Sequence, residues 1–213
     1  MKTILCYGDS LTWGTDAASG GRHPRRDRWP QVLMGALAGD AEVIVDGLRG
    51  RTTAFDDFSA ECDRNGARIL PTTLYAHAPL DLVILMLGTN DMKPHIAGSS
   101  VAAMQGMRRL VEIVRTASLR DGAGEAPGVL VVAPPPLCET ANTEFSAMFA
   151  GGVAESAMLA SFYSEMAQDL GVDFFDAASV ARTTPVDGVH MDAENTRAVG
   201  RALAPIVRLV LGL

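Results

Sequence analysis

The chain has 213 residues, of which 48% are hydrophobic and 20% are charged, and its formal net charge is −7. This is ordinary globular composition, which excludes a disordered chain, and the length is typical of one domain spanning residues 1–213. The acidic balance argues against nucleic acid as a partner, because a phosphate backbone needs several cationic contacts in register. A small basic cluster is interpreted as a solvated loop; it consists of Arg22, Arg25, Arg26 and Arg28.

Targeting and redox features narrow the class of protein further. No run reaches the roughly 18 apolar residues of a membrane span, and the first residues lack the apolar core and cleavage site of a signal peptide. Cys6, Cys62 and Cys138 are odd in number, widely spaced and without a CxxC pair, so neither a disulfide framework nor a zinc site is predicted. A reducing compartment fits best, and we expect a cytoplasmic protein without a membrane partner.

Five short apolar runs predict β-strands, at residues 3–7, 42–46, 82–87, 129–133 and 172–176. The runs are continuous rather than alternating, which is typical of parallel strands covered on both faces.

Helical patterns separate these strands. Trp29, Leu33 and Leu37 recur at i, i+4 and i+8, and a longer apolar stripe covers residues 101–114 after the capping candidates Ser99 and Ser100. A third pattern runs over residues 192–213, whereas residues 122–128 and 151–152 are predicted to be loops. The alternation predicts an α/β protein with a five-stranded parallel sheet in a three-layer, flavodoxin-like sandwich. Such sheets bind ligands at the carboxyl ends of their strands.

The first predicted strand runs into the sequence GDSLTWG, residues 8–14. A glycine allows a sharp turn, and a serine at the start of the next helix, here Ser10, would lie beside backbone N–H groups that can stabilise an oxyanion. An ordinary turn with a capping serine fits the same residues.

Two further strand ends carry polar or glycine-rich sequences. Gly47 follows the second strand, where its amide could approach a substrate closely or simply form a turn. The third strand delivers Gly88-Thr89-Asn90-Asp91; the Asn90 side chain could donate to an oxyanion, or bond its own backbone in a turn.

Near the end of the chain stands Asp187-Gly188-Val189-His190. This spacing lets the Asp187 carboxylate accept from Nδ1–H of His190, which leaves Nε2 free to act as a base. A surface ion pair fits the same spacing. A nucleophile, two oxyanion donors and a base pair on successive strand ends together predict acyl-transfer chemistry.

This combination resembles the SGNH (GDSL-type) hydrolase family, whose four blocks centre on a serine, a glycine, an asparagine and a histidine. The matching positions here are Ser10, Gly47, Asn90 and His190. Longer runs extend the resemblance over nearly the whole chain and are similar to the bacterial arylesterase and acyltransferase (perhydrolase) branch. These runs are GDSLTWG, DGLRGRTT, PLDLVILMLGTNDMK, VLVVAPPPL, FFDA and DGVH.

The resemblance implies Ser10 as nucleophile and Asp187 and His190 as the rest of a catalytic triad. It also implies an oxyanion hole made by the amides of Ser10 and Gly47 and the side chain of Asn90. Further substrate contacts are predicted around these residues, from Asp9, Leu11, Thr12, Trp13 and Thr89. No metal or organic cofactor is required for this chemistry.

The predicted function is a serine esterase that acts on small-molecule esters with short acyl groups. An acyltransferase or perhydrolase stays open, because Trp13 could narrow and dry the acyl site, although core packing of Trp13 fits equally well. A carbohydrate acetylesterase, a lysophospholipase and a non-catalytic binding protein also stay open. Residues 15–27 and 138–152 match no substrate pattern. The branch implies a homo-oligomer. The apolar residues of a predicted loop at 145–149 could supply a contact surface, and burial inside the subunit fits them equally well.

Overall fold

The computed structural model describes residues 1–117 and 126–213. Within these ranges the chain forms a five-stranded sheet in the order β2-β1-β3-β4-β5, and every neighbouring pair is parallel. The strands are β1 (Lys2–Gly8), β2 (Ala41–Gly47), β3 (Leu82–Met86), β4 (Gly128–Ala133) and β5 (Asp173–Asp176).

Helices connect the strands and cover the sheet. Those described are α1 (Ser10–Trp13), α2 (Trp29–Ala36), α3 (Gly66–His77), α4 (Ser100–Thr116), α5 (Thr143–Met148), α6 (Gly152–Leu170) and α7 (Ala193–Leu211). Short 3₁₀ turns lie at Arg25–Asp27, Asn90–Met92 and Ala177–Ser179. Among the described residues no helix combines the length and the apolar character needed to cross a bilayer.

The two faces of the sheet bury separate cores, which explains why the strands carry continuous rather than alternating apolar runs. Leu5 and Leu85 face one core, which α3, α4 and α6 complete. Ile4 and Ile84 face the other, which α2 and α7 complete. The predicted three-layer α/β sandwich with a five-stranded parallel sheet is therefore confirmed.

The predicted strand ends agree with those of the structure within two residues. The three predicted helical patterns correspond to α2, α4 and α7. Ser99 caps α4, since its side chain accepts from the Ala102 N–H at 3.4 Å. The predicted loop at 151–152 is wrong at its second residue: Gly151 is the N-cap of α6, with φ +79°, and Gly152 begins the helix. Of the other predicted loop, residues 122–125 lie outside the described residues and Gly128 begins β4.

Three helices were missed in the sequence. The stretch that forms α3 contains Pro71, which weakens a helical pattern. α5 is only 6 residues long. In α6 several of the buried positions are glycine, alanine or serine, so the sequence shows no clear apolar stripe. Tertiary burial rather than local pattern therefore decides these segments.

The sheet brings the ends of its first three strands together. Gly8, the last residue of β1, pairs with Gly47 on one side and with Met86 on the other. The segments that leave β1, β2 and β3 therefore begin side by side at the carboxyl edge of the sheet.

Candidate active site

Ser10 stands at the first position of α1, immediately after β1. Asp9 caps this helix, because its Oδ1 accepts from the Leu11 N–H at 2.9 Å. The turn is tight: a Cβ on Gly8 would lie 2.0 Å from Thr12 Oγ1, so only glycine fits. Ser10 is the first residue of the helix, so no carbonyl of a preceding helical turn is available to accept a hydrogen bond from its backbone N–H. That donor is available at the edge of the sheet.

His190 links Ser10 to Asp187 by two hydrogen bonds. Its Nε2 lies 2.9 Å from Ser10 Oγ, and its Nδ1 lies 2.7 Å from Asp187 Oδ2. Asp187 Oδ1 accepts from the N–H groups of Val189 and His190, both at 2.9 Å, which fixes the carboxylate to its own turn. Gly188 closes that turn with φ +77°. The predicted triad residues are thus brought into one line, all of them buried.

Asp187 is held in its ionised form. Burial raises its pKa, but hydrogen bonds from the His190 ring and from the N–H groups of His190 and Val189 outweigh burial and leave the pKa below its usual value. A carboxylate facing Nδ1 selects the tautomer of His190 that carries its proton there, so Nε2 can accept the proton of Ser10.

Gly47 and Asn90 lie on the same side as Ser10, and all three line one cleft. A Cβ on Gly47 would lie 2.4 Å from the Trp13 amide nitrogen, so the end of β2 packs directly on the backbone of α1. Asn90 begins the 3₁₀ turn after β3, and its Nδ2 donates to the Arg51 carbonyl at 3.1 Å. The same Nδ2 lies 3.4 Å from Asp9 Oδ2. The three residues predicted to form the oxyanion hole thus line one cleft, with the Asn90 amide bonded to Arg51 and Asp9.

The other predicted substrate contacts separate into two groups. Trp13 lines the cleft and is only partly buried, which excludes plain core packing. Leu11 packs into the core shared with α2 and α7. Asp9, Thr12 and Thr89 are likewise buried and do not line the cleft. Because these side chains are buried and are not among the residues that line the cleft, this placement does not support their predicted contact with substrate.

Two buried carboxyl groups lie beside the donors. Burial raises the pKa of Asp9 to about 6, against the opposing effects of the Leu11 N–H and the attraction of His190. Burial also raises the pKa of Asp91 to about 6, although hydrogen bonds from Thr53 oppose the shift.

The cleft has a volume of about 620 Å³ and two chemically different walls. Its apolar wall comes largely from α5 and the residue after it, with Phe145 placed edge-on to the His190 ring at 6.1 Å between centroids. The loop predicted at residues 145–149 is wrong, because these residues end a helix. Of the two alternatives for their side chains, burial fits Phe149, whereas Phe145 and Met148 are partly buried. The rim is charged, with Arg49, Asp57, Glu61, Arg64 and Lys93.

Two arginines pack against Trp13 in this cleft. Arg22, interpreted from the sequence as part of a solvated loop, is exposed as expected but also contacts Trp13, a role that the sequence did not indicate for Arg22 or Arg49. The guanidinium carbons of Arg22 and Arg49 lie 4.7 and 5.3 Å from the centroid of the Trp13 ring. Arg22 Nε also donates to the Trp13 carbonyl at 2.6 Å. Residues 15–27, which matched no substrate pattern, thus support one side of the cleft.

Comparison with known proteins places this geometry in a family. Residues 6–197 match the model of the GDSL-like lipase/acylhydrolase family. No curated protein sequence matches the chain significantly. Among solved structures, a carbohydrate acetylesterase family member from Sinorhizobium meliloti is 63% identical with a TM-score of 0.98, and the match covers 100% of both chains. The native aryl esterase of M. smegmatis is 44% identical with a TM-score of 0.94, over 99% of this chain and 100% of that one.

A further carbohydrate acetylesterase from Sinorhizobium meliloti is 38% identical with a TM-score of 0.93, over 99% of this chain and 100% of that one. The sequence-based assignment to the SGNH (GDSL-type) hydrolases is therefore confirmed. The family model covers most of the chain, and the similar structures are named as aryl esterase or carbohydrate acetylesterase. The chain therefore belongs to the GDSL-like lipase/acylhydrolase family and is an esterase.

Proposed function

We propose that the chain is a serine-dependent carboxylic ester hydrolase that forms an acyl-enzyme on Ser10 and acts on esters with short acyl groups. The observation that carries the proposal is the unbroken line Ser10–His190–Asp187, with 2.9 and 2.7 Å between the bonded atoms. A general base must lie within hydrogen-bond reach of the proton that it removes, and His190 meets this condition.

In the first half-reaction Ser10 Oγ bonds to the ester carbonyl carbon while Nε2 of His190 takes its proton. The carbonyl electron pair moves onto oxygen, which receives hydrogen bonds from the Ser10 and Gly47 amides and from Asn90 Nδ2, whose second N–H exchanges its 3.4 Å contact with Asp9 Oδ2 for the oxyanion. The intermediate expels the alcohol, which leaves with the proton from His190. Water then repeats the sequence on the acyl-enzyme, releasing the acid and restoring the Ser10 hydroxyl.

The substrate class follows from the cleft and from the neighbours. The apolar wall at Phe145 and Phe149 lies beside the nucleophile, whereas the charged rim at Arg49, Asp57 and Arg64 suits a polar or aromatic alcohol portion. The names of the similar structures, aryl esterase and carbohydrate acetylesterase, describe such alcohol portions. Comparing kcat/KM for aryl acetates, acetylated sugars and esters of longer acids would order these substrates.

Substitution of the nucleophile tests the proposal. Ser10→Ala should abolish turnover of p-nitrophenyl acetate while the circular dichroism spectrum and Tm stay close to those of the wild type. Ser164→Ala, on the exposed side of α6, is the matched control and should retain full activity. Fluorophosphonate labelling followed by peptide mapping should place the adduct on Ser10. Activity in Ser10→Ala, or an adduct elsewhere, would refute the assignment.

A second candidate, acyl transfer to an alcohol or to hydrogen peroxide, is favoured by Trp13. Its ring lines the cleft beside Ser10 and is held there through Arg22, which puts an apolar face where an acceptor approaches. A site that holds water weakly raises the share of acyl-enzyme captured by another nucleophile.

We expect early benzyl acetate formation from vinyl acetate and benzyl alcohol in buffer to exceed the bulk ratio of alcohol to water. Trp13→Ala should shift the products toward acetate. A ratio at the bulk value in both proteins would leave hydrolysis as the activity.

A further inference from the structure

We propose that Arg51 is the positioning residue of the oxyanion hole: one buried side chain and its own carbonyl tie together the segments that carry all three donors. The proposal rests on the function proposed above. Arg51 lies in the loop after β2 and its side chain is 2% exposed. It does not line the cleft, so it acts through other residues.

The guanidinium group of Arg51 bonds to the ends of two strands. Nη1 donates to the Gly8 carbonyl at 2.9 Å and to the Asp46 carbonyl at 2.7 Å. Gly8 is two residues before Ser10, and Asp46 is directly before Gly47. One nitrogen therefore sets the distance between the segments that supply two backbone donors.

The main chain of Arg51 holds the third donor. Its carbonyl accepts from Asn90 Nδ2 at 3.1 Å, which fixes the plane of the amide. The same loop also bonds to the residue after Asn90: here the loop donates, from the N–H and hydroxyl of Thr53 to the carboxylate of Asp91. Asn90 is thus held by the same loop from both its side chain and its neighbour.

The position of Arg51 is itself well determined. Nη2 donates to Asp46 Oδ1 at 2.8 Å, and the guanidinium carbon lies 3.9 Å from the centroid of the Tyr7 ring. The Tyr7 hydroxyl in turn donates to the Gly66 carbonyl at 2.9 Å. Because a planar guanidinium has five donors in a fixed fork, it can bond two strand ends and a carboxylate at once. The single ammonium of a lysine lacks that fork.

Oxyanion donors act through preorganisation, so a small displacement lowers the rate without weakening ground-state binding. We expect Arg51→Lys to lower kcat by about 10- to 100-fold with KM changed by about twofold or less, below the loss of about 10²- to 10³-fold for a deleted donor in Asn90→Ala. The Ki of phenylboronic acid should rise by a similar factor, since its tetrahedral adduct with Ser10 directs an oxygen at the same donors.

A double-mutant cycle separates positioning from general stability. In the Asn90→Ala background the loss caused by Arg51→Lys should be at least about fivefold smaller than in the wild type, because a displaced Arg51 backbone carbonyl can then no longer misplace the Asn90 amide. Arg197→Lys is the control: Arg197 pairs with the buried Asp27 at 2.6 Å, away from the cleft, and this variant should lose stability but keep kcat. Losses that multiply independently would overturn the proposal.

Asp46→Ala tests the same idea if Arg51→Lys does not fold. It removes the carboxylate that fixes Arg51 Nη2 but retains both backbone carbonyls that accept from Nη1, so kcat should fall by about 3- to 10-fold, less than in Asn90→Ala, with KM changed by about twofold or less. A kcat equal to that of the wild type would overturn the proposal, because the position of the guanidinium group would then not matter for the rate. Activity in Ser10→Ala would refute the proposed function instead.

Discussion

At the residue scale, Asp187 shows how two oxygens of one carboxylate divide two tasks. Oδ1 accepts two backbone N–H groups of its own turn, and Oδ2 faces Nδ1 of His190. Because the backbone bonds fix the carboxylate, the ring of His190 can satisfy it in one orientation only. That orientation directs Nε2 at Ser10.

Asp187→Asn should keep the turn and lose the chemistry. The amide oxygen would stay with the two backbone N–H groups, so the NH₂ group would donate to Nδ1 and leave the proton of His190 on Nε2, where it cannot accept from Ser10. We expect kcat to fall by about 10³- to 10⁴-fold with an unchanged circular dichroism spectrum. Asp192→Asn, at the N-cap of α7, is the control and should retain activity. A loss below about tenfold would contradict this account.

At the scale of elements, the turn Asn90–Met92 after β3 is joined to the loop after β2 through a buried carboxyl group. The Thr53 N–H lies 3.1 to 3.2 Å from the two oxygens of Asp91, and the Thr53 hydroxyl also bonds to it. Burial nevertheless raises the pKa of Asp91 to about 6. The link between these two segments is therefore sensitive to pH.

The raised pKa of Asp91 makes the folded chain less stable as the pH rises. Between the usual pKa of 3.8 and about 6, folded Asp91 holds a proton that the unfolded chain has lost, so stability falls as pH rises through this window. Asp91→Asn cannot titrate and can still pair with Thr53. From pH 4 to pH 7 the free energy of unfolding of the wild type should fall relative to this variant by about 1 to 3 kcal/mol.

Urea unfolding across this pH range measures the difference. Asp169→Asn replaces an exposed carboxylate paired with Arg108 and should leave the pH dependence of the wild type unchanged. If the free energy of unfolding of Asp91→Asn and of the wild type changed with pH in parallel, the folded chain would not retain a proton on Asp91, and the prediction would be wrong.

At the scale of the whole molecule, the surface exposes large apolar side chains. Phe58, between the cleft-lining Asp57 and Ser59, is 95% exposed, and Leu209, on α7, is 83% exposed. Burial of such side chains favours association, whereas the net charge of −7 opposes it through repulsion between copies.

We predict that the chain forms a homo-oligomer in solution, and that Phe58→Ser combined with Leu209→Ser shifts it toward the monomer. Added salt should strengthen association of the wild type, because it screens the repulsion. Sedimentation velocity would report both effects, with Val101→Ser as the control at a less exposed apolar position. A wild type that sediments as a monomer at every concentration would contradict the prediction.

The sequence by itself determined the sheet and the order of the chemical groups along it. Strands covered on both faces are predominantly apolar without alternation, so five apolar runs were sufficient to predict them. Parallel strands end at a common edge, so Ser10, Gly47 and Asn90 could be expected together without any knowledge of packing. Local spacing likewise placed the Asp187 carboxylate within reach of the His190 ring, but a surface ion pair fits the same spacing, and only the fold brings Nε2 to Ser10.

Only the tertiary structure decided what surrounds those groups. Arg51 has no local pattern that separates it from a surface arginine, and its role depends on Gly8, Asp46 and Asn90 meeting around it. The apolar wall comes from α5, a helix whose short sequence carries no periodic signal. The raised pKa values of Asp9 and Asp91 follow from burial by distant segments. Such contacts join residues far apart in the chain, so their physical cause is the packing of the whole fold and not any local pattern.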